Sequence, residues 1–198
     1  MNAIAGFFLR AKHWQIFLLL FGVFFIGQIA VMSSFAAAAR SPEDFGKVGL
    51  EFGVVMVLFM FCFLGWFWSM GLFLSSIVPA SLRLRMGFFR FALIYPAVYI
   101  FAFIAFFESP KPAMFALIFP FHLFAMFCMF YNLYFVSKSL VLAETGKRAS
   151  FYDFAGPFFL IWFFPIGVWI IQPRINRLYA QKGKAEPITG ANAEGFDS

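Results

Sequence analysis

Charged side chains are scarce in this chain. Asp, Glu, Lys and Arg make up only 12% of its 198 residues, whereas hydrophobic residues make up 63%. Soluble domains carry about twice that share of charge. Phenylalanine alone contributes 35 residues, and a water-soluble fold of this size could not cover so much aromatic surface. The sequence therefore predicts an all-α integral membrane protein.

Motifs that carry chemistry are missing as well. The two cysteines, Cys62 and Cys128, lie in apolar runs, where a free cysteine behaves as a small hydrophobe. We find no Gly-rich phosphate loop, no His-Glu-x-x-His and no Gly-x-Ser-x-Gly in the sequence, although these are frequent signatures of catalytic sites. We expect a protein that is not an enzyme and has no cofactor.

Acidic residues are absent from the apolar runs. All nine Asp and Glu lie outside the cores of the predicted spans. Carboxylates at membrane depth are typical of proton relays and ion-coupled transporters. The sequence thus argues against a proton-driven transporter or pump.

Four apolar runs predict a polytopic bundle of four transmembrane helices. They cover about 15–39, 52–78, 91–107 and 113–136, and each is long enough to cross a bilayer. The first run follows a basic segment as a secretory signal would, but it is longer than a signal-peptide core, so we expect it to stay as a signal anchor. We interpret residues 1–182 as one membrane domain and 183–198 as a disordered polar tail.

A fifth apolar run, residues 154–172, has two possible paths. Its 19 residues could cross the membrane as a helix. If the run crosses, the side of the N-terminus holds eight Lys and Arg residues and the opposite side holds seven. If the run folds back, the side of the N-terminus holds 12 and the opposite side holds three. Basic residues favour the cytoplasmic side. We therefore prefer a re-entrant segment that turns at Pro165–Gly167, with a fifth span as the alternative, followed by an interfacial helix at 174–182.

The same charge bias predicts an orientation and a partner. We expect a multi-pass protein of the cell membrane, such as a bacterial inner membrane, with a cytoplasmic N-terminus. The net charge of +6 comes from basic residues in short segments between the apolar runs. These segments suit anionic lipid headgroups and lack the continuous basic face that nucleic acid needs. The five tryptophans, Trp14, Trp66, Trp68, Trp162 and Trp169, are interpreted as interface anchors and lipid-facing bulk.

One group of side chains resembles a soft metal site. His122, Met126 and Met129 share one face of the fourth predicted span, and imidazole with thioethers would suit Cu(I). Methionine is also the usual gap-filler of apolar cores. The simpler interpretation is that no metal binds and that His122 forms a hydrogen bond with Tyr95, Tyr99 or a serine of a neighbouring helix.

The least ordinary segment is the end of the fifth apolar run. Its candidate functional residues are Pro165, Gly167, Gln172, Pro173, Arg174 and Asn176. With no catalytic set, the leading hypothesis is a non-enzymatic accessory or structural subunit that associates laterally in the membrane, either with another membrane protein or as a homo-oligomer. The alternative is a small channel or carrier that uses the broken segment as a gate, because irregular backbone at membrane depth often lines a cavity.

Overall fold

The computed structural model describes residues 3–41, 45–107 and 112–185, and every element within them is helical. The helices are α1 (Ala3–Arg10), α2 (His13–Phe17), α3 (Val23–Ala38), α4 (Phe45–Ile77), α5 (Met86–Phe107), α6 (Pro112–Thr145), α7 (Phe151–Trp162) and α8 (Phe164–Ala185). A π-helical turn, Leu18–Gly22, joins α2 to α3 without a break, and a short 3-10 turn, Ala80–Leu82, precedes α5.

Within the described residues, four helices are long and apolar enough to cross a membrane. They are His13–Ala38, Gly46–Ile77, Met86–Phe103 and Ile118–Thr145. Their outer faces carry large exposed side chains such as Ile26, Leu58 and Phe61, a distribution that lipid tolerates because its tails are as apolar as leucine. The prediction of a membrane-embedded all-α bundle is confirmed.

The core lies between the second half of α4, the first half of α5 and the second half of α6. Trp66 and Phe73 are buried on α4, and Phe89 of α5 stacks on Phe135 of α6 with their ring centroids 4.2 Å apart. A Cβ on Gly71 would overlap the Phe89 ring, so glycine permits the close approach of α4 and α5. This half of the bundle is the tightly packed one.

Helix α6 is longer than predicted. The span was expected to end at residue 136, but the helix continues to Thr145, where Gly146 adopts a left-handed conformation with φ 64° that suits a helix C-terminus. Ser137 and Ser139 look like the end of a span in the sequence, yet both are buried. Helices α4 and α7 both pack against α6, and Phe154 of α7 lies beside Tyr134 near this end of it.

The first helix, α1, was not predicted. Phe8 packs against α4 at Gly65, where a Cβ would come within 2.9 Å of the Phe8 ring. The chain then turns at Ala11 and Lys12, and α3 runs the opposite way along α4, with Phe24 of α3 beside Phe59 at 5.2 Å between ring centroids. The segment before the first span is therefore packed against the bundle.

The fifth apolar run folds back. Helix α7 ends at Trp162. The next residue, Phe163, leaves the helical conformation (φ −87°, ψ 58°), and α8 begins at Phe164. Arg174 of α8 binds Glu144 near the end of α6, six residues before the Ser150 that starts α7. The entrance and the exit of this C-terminal hairpin, α7 and α8, thus lie at the same end of α6.

Two predictions about this hairpin were wrong in detail. The turn is at Phe163, two residues before Pro165, because proline fits the first turn of a helix, where it needs no amide partner. No separate interfacial helix occupies 174–182: α8 passes through Pro173 and continues to Ala185. Of the tail predicted at 183–198, residues 186–198 lie outside the described part of the chain.

Ser150 and Asp153, three residues later, have the spacing of a capping box, which predicts a helix start, and helix α7 begins there. Ser150 and Asp153 form a reciprocal capping box, in which the Ser150 backbone N–H donates to Asp153 Oδ2 at 2.7 Å. The Ser150 hydroxyl donates to the same oxygen at 2.8 Å. These side-chain and backbone hydrogen bonds hold the pKa of the Asp153 carboxyl below its ordinary value. The cap is therefore intact at neutral pH and is lost only as the pH falls through that lowered pKa.

Candidate functional site

The most polar buried place in the described chain joins α8 to α1 and α4. Gln172 is fully buried, and its Nε2 donates to the carbonyls of Phe8 at 2.8 Å and Ala11 at 3.0 Å. Its Oε1 accepts the indole N–H of Trp66 at 2.9 Å. We call Gln172, Asn176 and Trp66, with the carbonyls that they bind, the amide cluster.

Asn176 completes the amide cluster one helical turn later. Its Nδ2 donates to the carbonyls of Leu9 at 2.7 Å and Ala11 at 3.2 Å. Residues four apart lie on one helical face, so both amides of α8 point at the same partner. That partner is the C-terminal end of α1, whose last carbonyls have no acceptor role inside the helix.

The amide cluster explains why so short a helix is stable. Eight residues form only two turns, which are marginal in isolation. Buried carbonyls without partners would add a further cost of about 1–3 kcal/mol each. Gln172 and Asn176 remove that cost by serving as the C-terminal cap of α1 from a distant part of the sequence.

An ion-pair cluster lies beside the amide cluster. Arg174 Nε donates to Glu144 Oε1 at 2.8 Å, and a second guanidinium nitrogen binds Oε2. Arg177 also lies within 3.6 Å of this carboxylate. The Arg174 and Glu144 side chains are only 25% and 17% exposed. This two-pronged pair ties α8 to the end of α6.

Replacing Arg174 by lysine should weaken the C-terminal hairpin. Lysine keeps the charge but cannot form the two-pronged contact, so we expect the free energy of unfolding to fall by about 1 kcal/mol. Unfolding of the purified protein in mixed detergent micelles would measure this. Arg148→Lys, at an exposed arginine, is the matched control, and an equal loss in both variants would contradict the role of Arg174.

The other residues predicted for this segment have structural positions. Pro165 lies in the first turn of α8, and Pro173 is exposed within the helix. Gly167 is buried, and a Cβ there would overlap the Leu160 carbonyl of α7. The six predicted residues therefore belong to one hairpin, but only Gln172, Arg174 and Asn176 make the polar contacts.

The possible metal ligands have dissimilar surroundings. His122 Nδ1 is 3.1 Å from the Tyr99 hydroxyl, as the hydrogen-bond interpretation predicted. Met126 is exposed, whereas Met129 is partly buried against the core. Among the described residues, no group of three or more His, Cys, Asp and Glu side chains is placed to hold a metal ion.

The partners of Gln172 could not be predicted from the sequence. The interpretation of Trp66 as an interface anchor was wrong, since this side chain is fully buried in the core. Glu144 lies beyond residue 136, where the fourth span was predicted to end, yet it belongs to the last turns of α6. Spacing within α8 could have identified Gln172 and Asn176 as one face, but only the fold brings Phe8 and Trp66 to them.

The chemistry available at the amide cluster is hydrogen bonding. Carboxamide and indole groups have no readily titrating proton, and the cluster holds no nucleophile with a neighbouring base. In comparisons with protein families, curated proteins and solved structures, nothing matches this chain. The function is therefore argued from the geometry.

Proposed function

We propose that this protein is a non-enzymatic accessory subunit that associates laterally with another membrane protein or with a second copy of itself. The observation that carries the proposal is an exposed segment of α6. Every residue from 119 to 124 is exposed, whereas most residues from 132 to 142 are buried. Helix α6 thus has a packed segment and an exposed segment, residues 119–127, which we call its bare half.

A polar side chain on the bare half supports a protein neighbour. His122 is exposed and uses one ring nitrogen for Tyr99. The other ring nitrogen has no partner in the residues that the structure describes. Polar groups at membrane depth are costly in lipid and are usually satisfied across helices. A neighbouring helix with a hydrogen-bonding side chain would satisfy His122.

The apolar part of this surface suits the same role. Phe119, Phe121 and Phe127 are 63%, 51% and 54% exposed. Lipid tolerates such side chains, but aromatic residues are also enriched where proteins contact each other. Van der Waals packing of their rings would add to the His122 contact.

Site-specific photo-crosslinking tests the proposal. A crosslinking residue at Leu123 or Phe127 should give a protein adduct in native membranes, because both side chains are exposed on the bare half of α6. Ile29 on α3, equally exposed to lipid, is the matched control and should give none. His122→Leu should weaken the adduct. Failure of both α6 positions to react with protein would overturn the proposal.

The proposed orientation has the N-terminus and both ends of the C-terminal hairpin in the cytoplasm of a multi-pass protein of the cell membrane, such as a bacterial inner membrane. Support comes from the folded-back hairpin, which fits the 12-to-three division of Lys and Arg. A reporter fused after Ser198 should be active only in the cytoplasm. Activity on the far side of the membrane would contradict this orientation.

The alternative role is a small channel or carrier gated by the C-terminal hairpin. Such a role needs polar groups along a wet path. Asn132 of α6 is a polar residue that could line such a path, but its side chain is fully buried and donates to the Ala92 carbonyl at 2.9 Å. We rank this alternative second, and solute flux into proteoliposomes would favour it over the accessory role.

A further inference from the structure

A cavity of about 330 Å³ lies between α1, α4 and α5. Its walls are apolar and include Ile4 and Phe8 of α1, Leu64 and Trp68 of α4, and Ile94 and Ala97 of α5. Four lining side chains, Ile4, Phe61, Ile94 and Phe101, are more than half exposed. The cavity is therefore a groove that opens sideways, toward the lipid. We call it the lateral groove.

Positive charge lies at one end of the lateral groove. Arg90 is exposed and precedes Ile94 by four residues and Ala97 by seven, so the three lie on one face of α5. The connector before α5, residues 78–85, carries Arg83 and Arg85 and has no acidic residue. An anion at this end would meet several cations and no carboxylate of the connector.

A hydrogen-bond donor lies just below this charge. Trp68 lines the groove, and its indole N–H makes no hydrogen bond to any residue of the described chain. The contact between Gly71 and Phe89 fixes the relative depth of the two helices. By the helix rise, Trp68 lies about 3 Å, or roughly half a turn, deeper in the bundle than Arg90. A tryptophan in this position can donate to the polar linkage of a lipid.

We propose that the lateral groove binds one acyl chain of an anionic phospholipid, with the phosphate at Arg90 and the Trp68 N–H donating to the linkage between headgroup and chain. The walls of the groove are apolar along its length, which suits an acyl chain. The basic residues at one end select an anionic headgroup.

This site is independent of the proposed function. The lateral groove is lined by α1, α4 and α5, whereas the proposed partner surface is on α6. Failure of one proposal would leave the other standing.

Native mass spectrometry of the full-length protein tests the groove. The probes are phosphatidylglycerol, which is anionic, and phosphatidylcholine, which is zwitterionic, added to the delipidated protein in detergent. The wild type should retain one phosphatidylglycerol in preference to phosphatidylcholine. Arg90→Gln should lower that preference about fivefold, the effect expected of one basic residue at a membrane surface.

Two matched pairs of variants make the test specific. Ala97→Phe should fill the groove and reduce binding of both lipids, whereas Val98→Phe, at an exposed neighbour outside the groove, should not. Arg148→Gln, at an exposed arginine elsewhere, should keep the preference that Arg90→Gln loses. If Ala97→Phe does not fold, Ala97→Leu makes the same test with a smaller side chain.

Three results would overturn the proposal. The first is equal loss of preference in Arg90→Gln and Arg148→Gln, which would show a general charge effect. The second is wild-type lipid retention in folded Ala97→Phe or Ala97→Leu. The third is binding of free glycerol phosphate as tightly as the lipid, which would show that the groove contributes nothing.

Discussion

Replacing Gly167 by alanine is expected to lower the free energy of unfolding by about 3 kcal/mol or more. The added Cβ would overlap the carbonyl of Leu160, which is backbone and cannot rotate away as a side chain can. Helices α7 and α8 would have to separate near their turn at Phe163. Unfolding in mixed detergent micelles measures the loss.

Gly156 provides the matched control for this prediction. It lies on α7 in the same hairpin, is exposed, and would meet nothing within 4 Å if it carried a Cβ. Gly156→Ala should be neutral or stabilise the protein by up to about 1 kcal/mol, because alanine is the better helix former. Equal effects of the two substitutions would show that α7 and α8 do not approach each other closely at Gly167.

Replacing Gln172 by leucine should be the most damaging change in the amide cluster. It leaves the Phe8 carbonyl and the Trp66 N–H buried without partners, at a cost of about 2–4 kcal/mol in total. Helix α1 should also loosen, since it loses part of its cap. Thiol labelling at Ala5→Cys, in a protein with Cys62 and Cys128 replaced, would report that loosening.

Gln181 is the matched control for Gln172, because it tests whether loss of any glutamine on α8 destabilises the protein. It is exposed near the end of the same helix, so Gln181→Leu should change stability by less than about 0.5 kcal/mol. A double-mutant cycle of Gln172→Leu with Trp66→Phe should give a coupling of about 1 kcal/mol. Absence of coupling would mean that the hydrogen bond between the two side chains does not stabilise the bundle.

These two predictions share a physical origin. In lipid, apolar burial between helices contributes little, so close backbone contact and hydrogen bonds hold helices together. Gly167 provides the close contact within the C-terminal hairpin, and Gln172 provides the hydrogen bonds that join this hairpin to α1 and α4. In so apolar a chain, few other residues allow close backbone contact or form hydrogen bonds between helices.

Part of the candidate site could be predicted from local pattern. Gln172, Arg174 and Asn176 stand out because they lie at the end of the fifth apolar run, whose path the sequence leaves open. Their roles could not be predicted, since Gln172 and Phe8 are 164 residues apart. The interpretation of Trp66 failed for the same reason: an interfacial and a buried tryptophan have the same local sequence, and only the helices around them differ.

The sequence by itself determined the properties that depend on runs of residues. Apolar length is enough to predict the four spanning helices, and the Ser150–Asp153 spacing is enough to start α7, because both are properties of one continuous segment. The tertiary structure decided where α6 ends, that α1 is a packed helix, and that the fifth apolar run turns back at Phe163. Those outcomes depend on which distant groups satisfy buried carbonyls and charges, and only the folded bundle brings those groups together.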